Sequence, residues 1–282
     1  MSDPLEYHVL VHPGIPQHTD QTDPDGAPRI WSPISTTFIR SGEELVVVDP
    51  GLTFDHARAV ADRVKDSGKR LVAVYATHGH GDHWFAAGPL LEEFPDAVVH
   101  ATPGTIGVMR QNADPAFRGQ RFDAIFPDQV PPSPVRARPI PAEGIELGGH
   151  RLLAVEVGHT DTDDTTVLHA PSTGLVVAGD AVYNNVHQYL SEIVDGGLEA
   201  WLAALDKIEA LAPTAVVSGH KDARRPDSPD TIGETRQYLL DARRLLGEHS
   251  TARGFYDAMV RLHPGRVNRG ALWRGALALL PE

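Results

Sequence analysis

Cysteine is absent from this 282-residue chain, which excludes a disulfide framework and any metal site built on thiolate ligands. The sequence also lacks a run of about 20 apolar residues, which a membrane-spanning helix requires. Residues 1–6 are acidic and have no apolar stretch of the kind found in a secretory signal. From these absences we expect a soluble protein of the cytoplasm.

Basic residues are scarce as well. The 25 lysines and arginines are outnumbered by 38 aspartates and glutamates, which gives a formal net charge of −13. Such a surface repels nucleic acid unless it contains a local basic groove. We therefore expect a small-molecule substrate and neither a nucleic acid nor a membrane as partner, with a homodimer left open. The short basic segment 221–225 is interpreted as a solvated turn, and binding of a substrate carboxylate is the alternative.

The most informative segment that is present covers residues 78–83, with the sequence HGHGDH. Imidazole and carboxylate groups together suit a divalent transition metal such as zinc. Glycine permits the tight turns that aim neighbouring side chains at one point. The run follows the apolar segment 71–77, which is typical of a buried strand, so the pattern predicts a metal-binding loop at a strand end. A solvated histidine-rich loop is the alternative interpretation.

Three later segments share one design, in which an apolar strand-like run delivers a potential ligand just past its end. The ligands are His159, Asp180 and His220, which follow the runs 152–158, 174–179 and 215–219. A rigid sheet can position such groups while the adjoining loops stay adaptable. One histidine after a strand is usually an ordinary loop residue. Together with residues 78–83, the three segments predict ligands that converge on one metal site.

With these motifs the chain resembles the metallo-β-lactamase-fold hydrolase superfamily over about residues 35–220. Residues 49–51 resemble its D-x-G turn, residues 77–83 its T-H-x-H-x-D-H signature, and residues 158–160 its G-H-T segment. The resemblance implies an α/β (α+β) fold, namely an αβ/βα four-layer sandwich with metals along one edge. It implies a single domain over residues 1–282, with a core of about 6–222 and a C-terminal helical extension over 223–282.

The resemblance also implies how the ligands divide between two metal ions. The first ion would be held by His78, His80 and His159, the second by Asp82, His83 and His220, and Asp180 would bridge them together with a hydroxide. Seven ligands are too many for one tetrahedral ion and suit two ions roughly 3.5–4 Å apart. We expect zinc, with manganese or iron as alternatives. Asp49 is interpreted as orienting a ligating histidine, or else as a plain turn residue.

Two features indicate to which branch of the superfamily the chain is most similar. The lack of cysteine and the carboxylate at Asp180 argue against true β-lactamases and favour the branch that holds glyoxalase II, lactonases and phosphodiesterases. In quorum-quenching lactonases a tyrosine lies three positions after the bridging aspartate, and Tyr183 has that spacing here. Its phenol would donate a hydrogen bond to the developing oxyanion, unless Tyr183 is a packing residue.

The sequence therefore predicts a dinuclear-metal-dependent hydrolase that acts on a lactone or another carboxylic ester through a metal-bridging hydroxide. Tyr183 and Asp82 are the predicted catalytic residues, and Asp82 or a metal-held water would pass the proton to the leaving oxygen. The alternatives are a glyoxalase II-like thioesterase, a phosphodiesterase and an iron-dependent oxidoreductase on the same fold. A non-catalytic scaffold is disfavoured because buried ligands left without metal are costly to keep.

Other segments leave their roles open. Residues 104–134 predict a helix and a proline-rich connection, whose large apolar residues would either line the substrate pocket or pack in the core: Met109, Phe117, Phe122 and Phe126. Trp31 and His187 could each face the pocket or serve packing. Residues 54–66 predict a helix capped by Asp55. The C-terminal helices, which begin near residue 230, could pack on a sheet, contribute to the pocket or form a dimer surface, and packing is preferred.

Overall fold

Short apolar strands form two sheets that pack back to back. The computed structural model describes residues 3–132 and 135–282. The first sheet contains, in spatial order, β1 (Glu6–His12), β2 (Ile34–Ser41), β3 (Glu44–Val48), β4 (Arg70–Tyr75), β5 (Val98–Ala101) and β6 (Arg138–Pro139). The second contains β7 (Ile145–Leu147), β8 (His150–Gly158), β9 (Thr165–Ala170), β10 (Leu175–Asn184) and β11 (Ala215–Lys221), again as neighbours in chain order.

Both sheets are mixed. In the first, β1, β2 and β3 are antiparallel neighbours, whereas β3 to β6 run parallel. In the second, β7 to β10 are antiparallel and β11 runs parallel to β10. The carboxyl ends of the parallel pair β10 and β11 lie at one edge of their sheet, where polar groups from different strands can meet.

Helices cover the outer sides of the two sheets. They are α1 (Phe54–Ser67), α2 (Ala87–Glu93), α3 (Pro103–Asn112), α4 (Pro115–Arg118), α5 (Gly197–Ala210), α6 (Asp230–Glu248), α7 (Ala252–Leu262) and α8 (Arg269–Leu279). The predicted cap of the first helix is wrong by two residues. The Thr53 hydroxyl accepts the His56 backbone N–H, because Thr53 has the extended backbone of a capping residue while Asp55 already lies within the first turn.

Apolar packing makes four layers. The inner layer joins residues of the first sheet, such as Val46 and Tyr75, to residues of the second, such as Leu168 and Val177. One outer cluster packs α1 and α2 against the first sheet, and another packs α5 to α8 against the second. The predicted αβ/βα sandwich is confirmed. Each sheet buries both of its surfaces, which explains why its strands have nearly continuous apolar sequences.

The segment 104–134 is helical at its start, as predicted, with α3, α4 and a π-helical turn over Gly119–Asp123. Its last residue, Pro134, lies outside the described residues, as does Ser133. The aromatic residues do not line the pocket described below. Phe122 and Phe126 are buried with Trp31 and Phe85 in a core cluster that also holds Met109, whereas Phe117 is exposed to solvent. The core interpretation therefore holds for three of the four residues.

The C-terminal helices α6, α7 and α8 bury apolar side chains against α5 and the second sheet. Residues near the start of α8 also reach the rim of the pocket described below. Both packing and a contribution to the pocket, which the sequence left as alternatives, therefore apply. Within residues 3–132 and 135–282, no helix combines the length and the apolar character needed to cross a membrane.

Candidate metal centre

The loop after β4 presents two histidines and an aspartate to the interior. His78, Asp82 and His83 are buried, and a short 3₁₀ turn over Gly81–His83 closes the loop. The glycine between the first two histidines has no room for a side chain, because a Cβ atom on Gly79 would lie 2.5 Å from Val108. Glycine is therefore a packing requirement in this loop as well as a source of backbone freedom.

Asp49 holds this loop from behind. Its carboxylate accepts the Thr77 backbone N–H at 2.9 Å and the Thr77 hydroxyl at 2.7 Å, and lies 3.3 Å from His83 Nδ1. These contacts are those expected of a carboxylate that orients a ligand without binding the metal. The interpretation of Asp49 as a plain turn residue does not account for them.

Asp180 lies at the centre of the site. Its Oδ1 is 3.3 Å from His83 Nε2, and its Oδ2 is 3.0 Å from His220 Nε2 and 4.0 Å from His78 Nε2. Contrary to the prediction, Asp180 and His220 do not follow their strands, because β10 and β11 continue through them. Irregular pairing on both sides of Gly179, which has a left-handed φ of 52°, turns Asp180 into the site.

Three histidines turn the same nitrogen toward Asp180. The Thr77 hydroxyl donates to Asp49, so it accepts a hydrogen bond from Nδ1–H of His78 at 3.0 Å. His83 Nδ1 lies against Asp49, and His220 Nδ1 donates to the Pro33 carbonyl at 2.7 Å. In each ring Nδ1 is held by a protein acceptor, which leaves Nε2 as the ligand nitrogen in the manner of metal-binding histidines.

The donor atoms fall into two main groups, each within 4.8 Å. One contains His78, His80, Asp161 and Asp180, and the other contains Asp82, His83 and His220. Among the described residues, His78 Nε2, His83 Nε2 and Asp180 Oδ1 are buried without a hydrogen-bond partner. Buried polar atoms of this kind are costly unless something binds them. The donor sets therefore fit a dinuclear centre of two divalent cations.

The structure does not bring His159 to this cluster. Its Nδ1 lies 2.7 Å from Asp163 Oδ1 and its Nε2 lies 2.9 Å from the Glu192 carbonyl, so both nitrogens point away from the site. Asp161 lies in a group of donor atoms with His78, His80 and Asp180 instead. It is buried, with Oδ2 3.1 Å from His80 Nδ1. The other six predicted ligands do converge.

The physical reason lies at the end of β8. Pairing with β9 shifts between Glu156 and Gly158, and Gly158 has a left-handed φ of 102°. The chain therefore leaves the sheet in a direction that turns His159 outward and brings the carboxylate two residues later inward. The sequence does contain a second potential ligand close by, because residues 159–161 read HTD and end in Asp161. The histidine in the same segment drew the prediction to residue 159.

Electrostatics in the cluster are dominated by the paired charges. Burial raises the pKa of Asp180, but His220 and His83 outweigh this effect and hold the pKa well below its usual range. Burial lowers the pKa of His83, but Asp180 and Asp82 outweigh it and raise the pKa well above the ordinary value. Protons and cations therefore compete for the same nitrogens, and metal binding here will weaken as the pH falls.

A pocket opens over the cluster. Its lining includes His80, Asp82, Asp161, Asp180, Tyr183 and His220 from the cluster side, and Gln17, Ile30, Trp31, Ser32, Arg121, Tyr189, Asn268, Gly270, Ala271 and Arg274 from the rim. Trp31 does lean over the site, since its Nε1–H donates to Asp82 Oδ2 at 2.8 Å. The Tyr183 hydroxyl donates to Asp180 Oδ2 at 3.2 Å.

Two other candidates point elsewhere. His187 is buried with Nδ1 2.9 Å from the Tyr238 hydroxyl and does not line the pocket. The basic segment 221–225, which begins at the last residue of β11, is engaged in ion pairs with neighbouring carboxylates. Lys221 contacts Asp227, Arg224 contacts Asp222, and Arg225 contacts Glu234. These cations are therefore not directed at a substrate.

Comparison with known proteins identifies the family. The model of the metallo-β-lactamase superfamily matches residues 29–220, which is more than half of the chain. The protein therefore belongs to the metallo-β-lactamase superfamily, whose members are mostly metal-dependent hydrolases.

Individual relatives are more distant. A hydroxyacylglutathione hydrolase from Synechococcus sp. (strain WH7803) is 37% identical over 81 residues, covering 29% of this chain and 30% of the relative. A ribonuclease J from Pyrococcus abyssi (strain GE5 / Orsay) is 22% identical over 213 residues, covering 64% of this chain and 45% of the relative. The chain thus spans less than half the length of either curated relative. A metallo-β-lactamase family structure from Thermus thermophilus aligns with a TM-score of 0.62 at 18% identity, covering 96% of this chain and 91% of that chain, and shows the shared fold.

Replacing Asp161 and His159 separately by alanine tests which of the two residues contributes to the centre. Because only the Asp161 carboxylate joins the donor cluster, we expect Asp161→Ala to lose one of about two bound ions per chain while His159→Ala keeps both. Metal analysis of dialysed, zinc-loaded protein measures this directly. Asp163→Ala, which removes only the partner of His159, is the control. Loss of an ion in His159→Ala but not in Asp161→Ala would contradict the arrangement seen here.

Proposed function

We propose that the protein is a hydrolase of lactones or other carboxylic esters that works with two divalent cations, zinc in the first instance. The observation that carries the proposal is the placement of Asp180. Its carboxylate lies between two groups of ligand atoms, and the Tyr183 hydroxyl contacts it from the wall of the same pocket. A nucleophile held near Asp180 would therefore be close to a hydrogen-bond donor that can serve the reacting carbonyl.

The ligand assignment follows the two groups of donor atoms. One ion would be held by His78, His80 and Asp161, the other by Asp82, His83 and His220, with Asp180 between them. Two ions held there would lower the pKa of a bound water to about 7 and polarise the oxygens of a substrate. The protein supplies fixed orientation, because the Nδ1 atoms of His78, His83 and His220 are already engaged by acceptors.

Tyr183 is proposed to stabilise the negative charge that develops on the carbonyl oxygen. Burial, with Asp180 and Asp161, raises the pKa of the Tyr183 phenol well above its usual value, so the group is protonated at neutral pH and able to donate. It needs only to turn its hydroxyl from Asp180 toward a substrate in the adjoining pocket. A preorganised donor of this kind is often the largest single contribution to acyl transfer.

Asp82 is proposed to move the proton. Burial raises its pKa, but His83 and His220 outweigh burial and lower it, so the carboxylate is ionised at neutral pH. The hydrogen bond from Trp31 fixes Oδ2, which leaves the group held at the pocket surface. Asp82 would take a proton from the attacking water and return it to the leaving oxygen.

A thioester is the second candidate substrate. The local similarity to a hydroxyacylglutathione hydrolase, although confined to 81 residues, favours acyl transfer. The similarity to a ribonuclease J suggests a phosphodiester, but the net charge of −13 disfavours nucleic acid as a partner. The pocket combines aromatic walls with a few convergent polar groups, a lining that suits a small molecule. Neither a membrane nor another protein is needed for this reaction, and a homodimer is compatible with it.

A substrate screen tests the proposal. The purified protein, loaded separately with zinc, manganese or iron(II), is assayed with aliphatic lactones, nitrophenyl esters, an acyl thioester and bis-p-nitrophenyl phosphate. We expect the highest kcat/KM with a lactone or ester, loss of activity on chelation and recovery on adding metal. Asp180→Ala serves as the inactive control. Turnover of the phosphodiester alone, or oxygen consumption by the iron form without ester hydrolysis, would contradict the proposal.

Tyr183→Phe tests the catalytic tyrosine. Removing the phenol should lower kcat for the ester by about 10²-fold, as loss of one oxyanion donor does in other hydrolases, while the metal content stays unchanged. Tyr256→Phe is the matched control, because that tyrosine is buried against Trp273 and does not line the pocket. A wild-type kcat in Tyr183→Phe would show that the tyrosine serves packing alone.

A further inference from the structure

Two arginines from distant parts of the chain lie around Trp31 at the rim of the pocket. Arg121 belongs to the π-helical turn Gly119–Asp123, and Arg274 lies on α8. Their guanidinium carbons lie 5.4 and 5.7 Å from the ring of Trp31, and that of Arg121 is also 5.1 Å from the ring of Tyr189. The aromatic rings hold both cations at the pocket surface.

Both guanidiniums lack an acidic partner among residues 3–132 and 135–282. In this part of the chain, no carboxylate oxygen lies within 4.0 Å of a guanidinium nitrogen of Arg121 or Arg274, the limit for an ion pair. Most other arginines have such a partner. Burial, followed by the charge of Arg121, lowers the pKa of Arg274 to about 10, which still leaves it charged at neutral pH. Arg121 and Arg274 differ from the other arginines without an acidic partner in that both line the pocket over the candidate metal centre.

Trp31 connects this pair to the candidate metal centre. One end of the indole donates its N–H to Asp82, and the two guanidiniums lie around the same ring. A substrate whose carbonyl lay near Asp180 and Tyr183 would thus extend along Trp31 toward the arginines.

We propose that Arg121 and Arg274 form an anion-binding subsite, and that the substrate is an ester or lactone that carries a carboxylate or phosphate group. The planar fork of a guanidinium matches both groups, and its hydrogen bonds to an anion are charge-assisted. The substrate class named here rests on the proposed ester hydrolysis, whereas the subsite itself depends only on the two arginines and the pocket.

Paired substrates test the proposal in the metal-loaded protein. We measure kcat/KM for the 4-nitrophenyl monoester of succinic acid and for its neutral methyl ester, and take the ratio of the anionic to the neutral substrate. The measurement is repeated with an acyl ester that carries a phosphate monoester as its anionic group. We expect the wild-type protein to prefer an anionic substrate about tenfold or more, because hydrogen bonds to charged groups are among the strong ones. The ratio should fall toward one in Arg121→Gln and in Arg274→Gln, with partial recovery in Arg274→Lys.

Arg110→Gln is the matched control, because Arg110 is an exposed arginine on α3 outside this pocket. Thermal unfolding of each variant checks that it folds. Arg121→Gln, which removes a side chain from the rim, remains informative if Arg274→Gln unfolds. An anionic preference that is absent from the wild-type protein, or unchanged in both folded variants, would overturn the subsite.

A binding measurement separates failure of the subsite from failure of the proposed function. Calorimetric titration with succinate and with inorganic phosphate compares the metal-loaded wild type with the Arg121→Gln, Arg274→Gln double variant. We expect at least about tenfold weaker binding in the double variant, and the tighter of the two anions identifies the group that the subsite prefers. Arginine-dependent binding without ester hydrolysis would refute the proposed function alone. Equal binding by both proteins would refute the subsite, whichever esters are hydrolysed.

Discussion

The contact of a buried carboxylate with several imidazoles is the interaction on which the rest of this structure depends. Asp180 is almost fully buried, and its two oxygens lie against His83 and His220. Burial of such charged and polar groups is unfavourable unless each has a partner, and metal ions would provide one. The neighbouring backbone leaves no space for a side chain at Gly219, since a Cβ atom there would lie 2.1 Å from Asp180 Oδ1.

The two-sheet architecture makes this arrangement possible. The loop after β4 belongs to the first sheet, whereas Asp180 and His220 lie on β10 and β11 of the second. The segment before β2 then joins the two halves, because the Pro33 carbonyl accepts from His220 while Trp31 donates to Asp82. Each half of the sandwich thus supplies potential ligands. The segment before β2, which supplies none, orients one residue from each half.

Much of the fold and of the candidate site could be predicted from the sequence, because the relevant patterns are local. The apolar runs before residues 78, 180 and 220 identify strands, and the H-x-H-x-D-H pattern concentrates four donors in one loop. The position of Asp161, and not His159, among the donor atoms could not be predicted, since it depends on a shift in strand pairing and on the backbone at Gly158. The convergence of Arg121 and Arg274 on Trp31 was equally hidden, because the two arginines lie some 150 residues apart in the chain.

The central claim is that two cations lie on either side of the Asp180 carboxylate. Anomalous diffraction at the zinc absorption edge, from crystals of the zinc-loaded protein, tests this most directly. We expect two anomalous peaks, each about 2.0–2.2 Å from its ligand atoms and each next to an oxygen of Asp180. A single peak, or two peaks with Asp180 bound to neither, would contradict it.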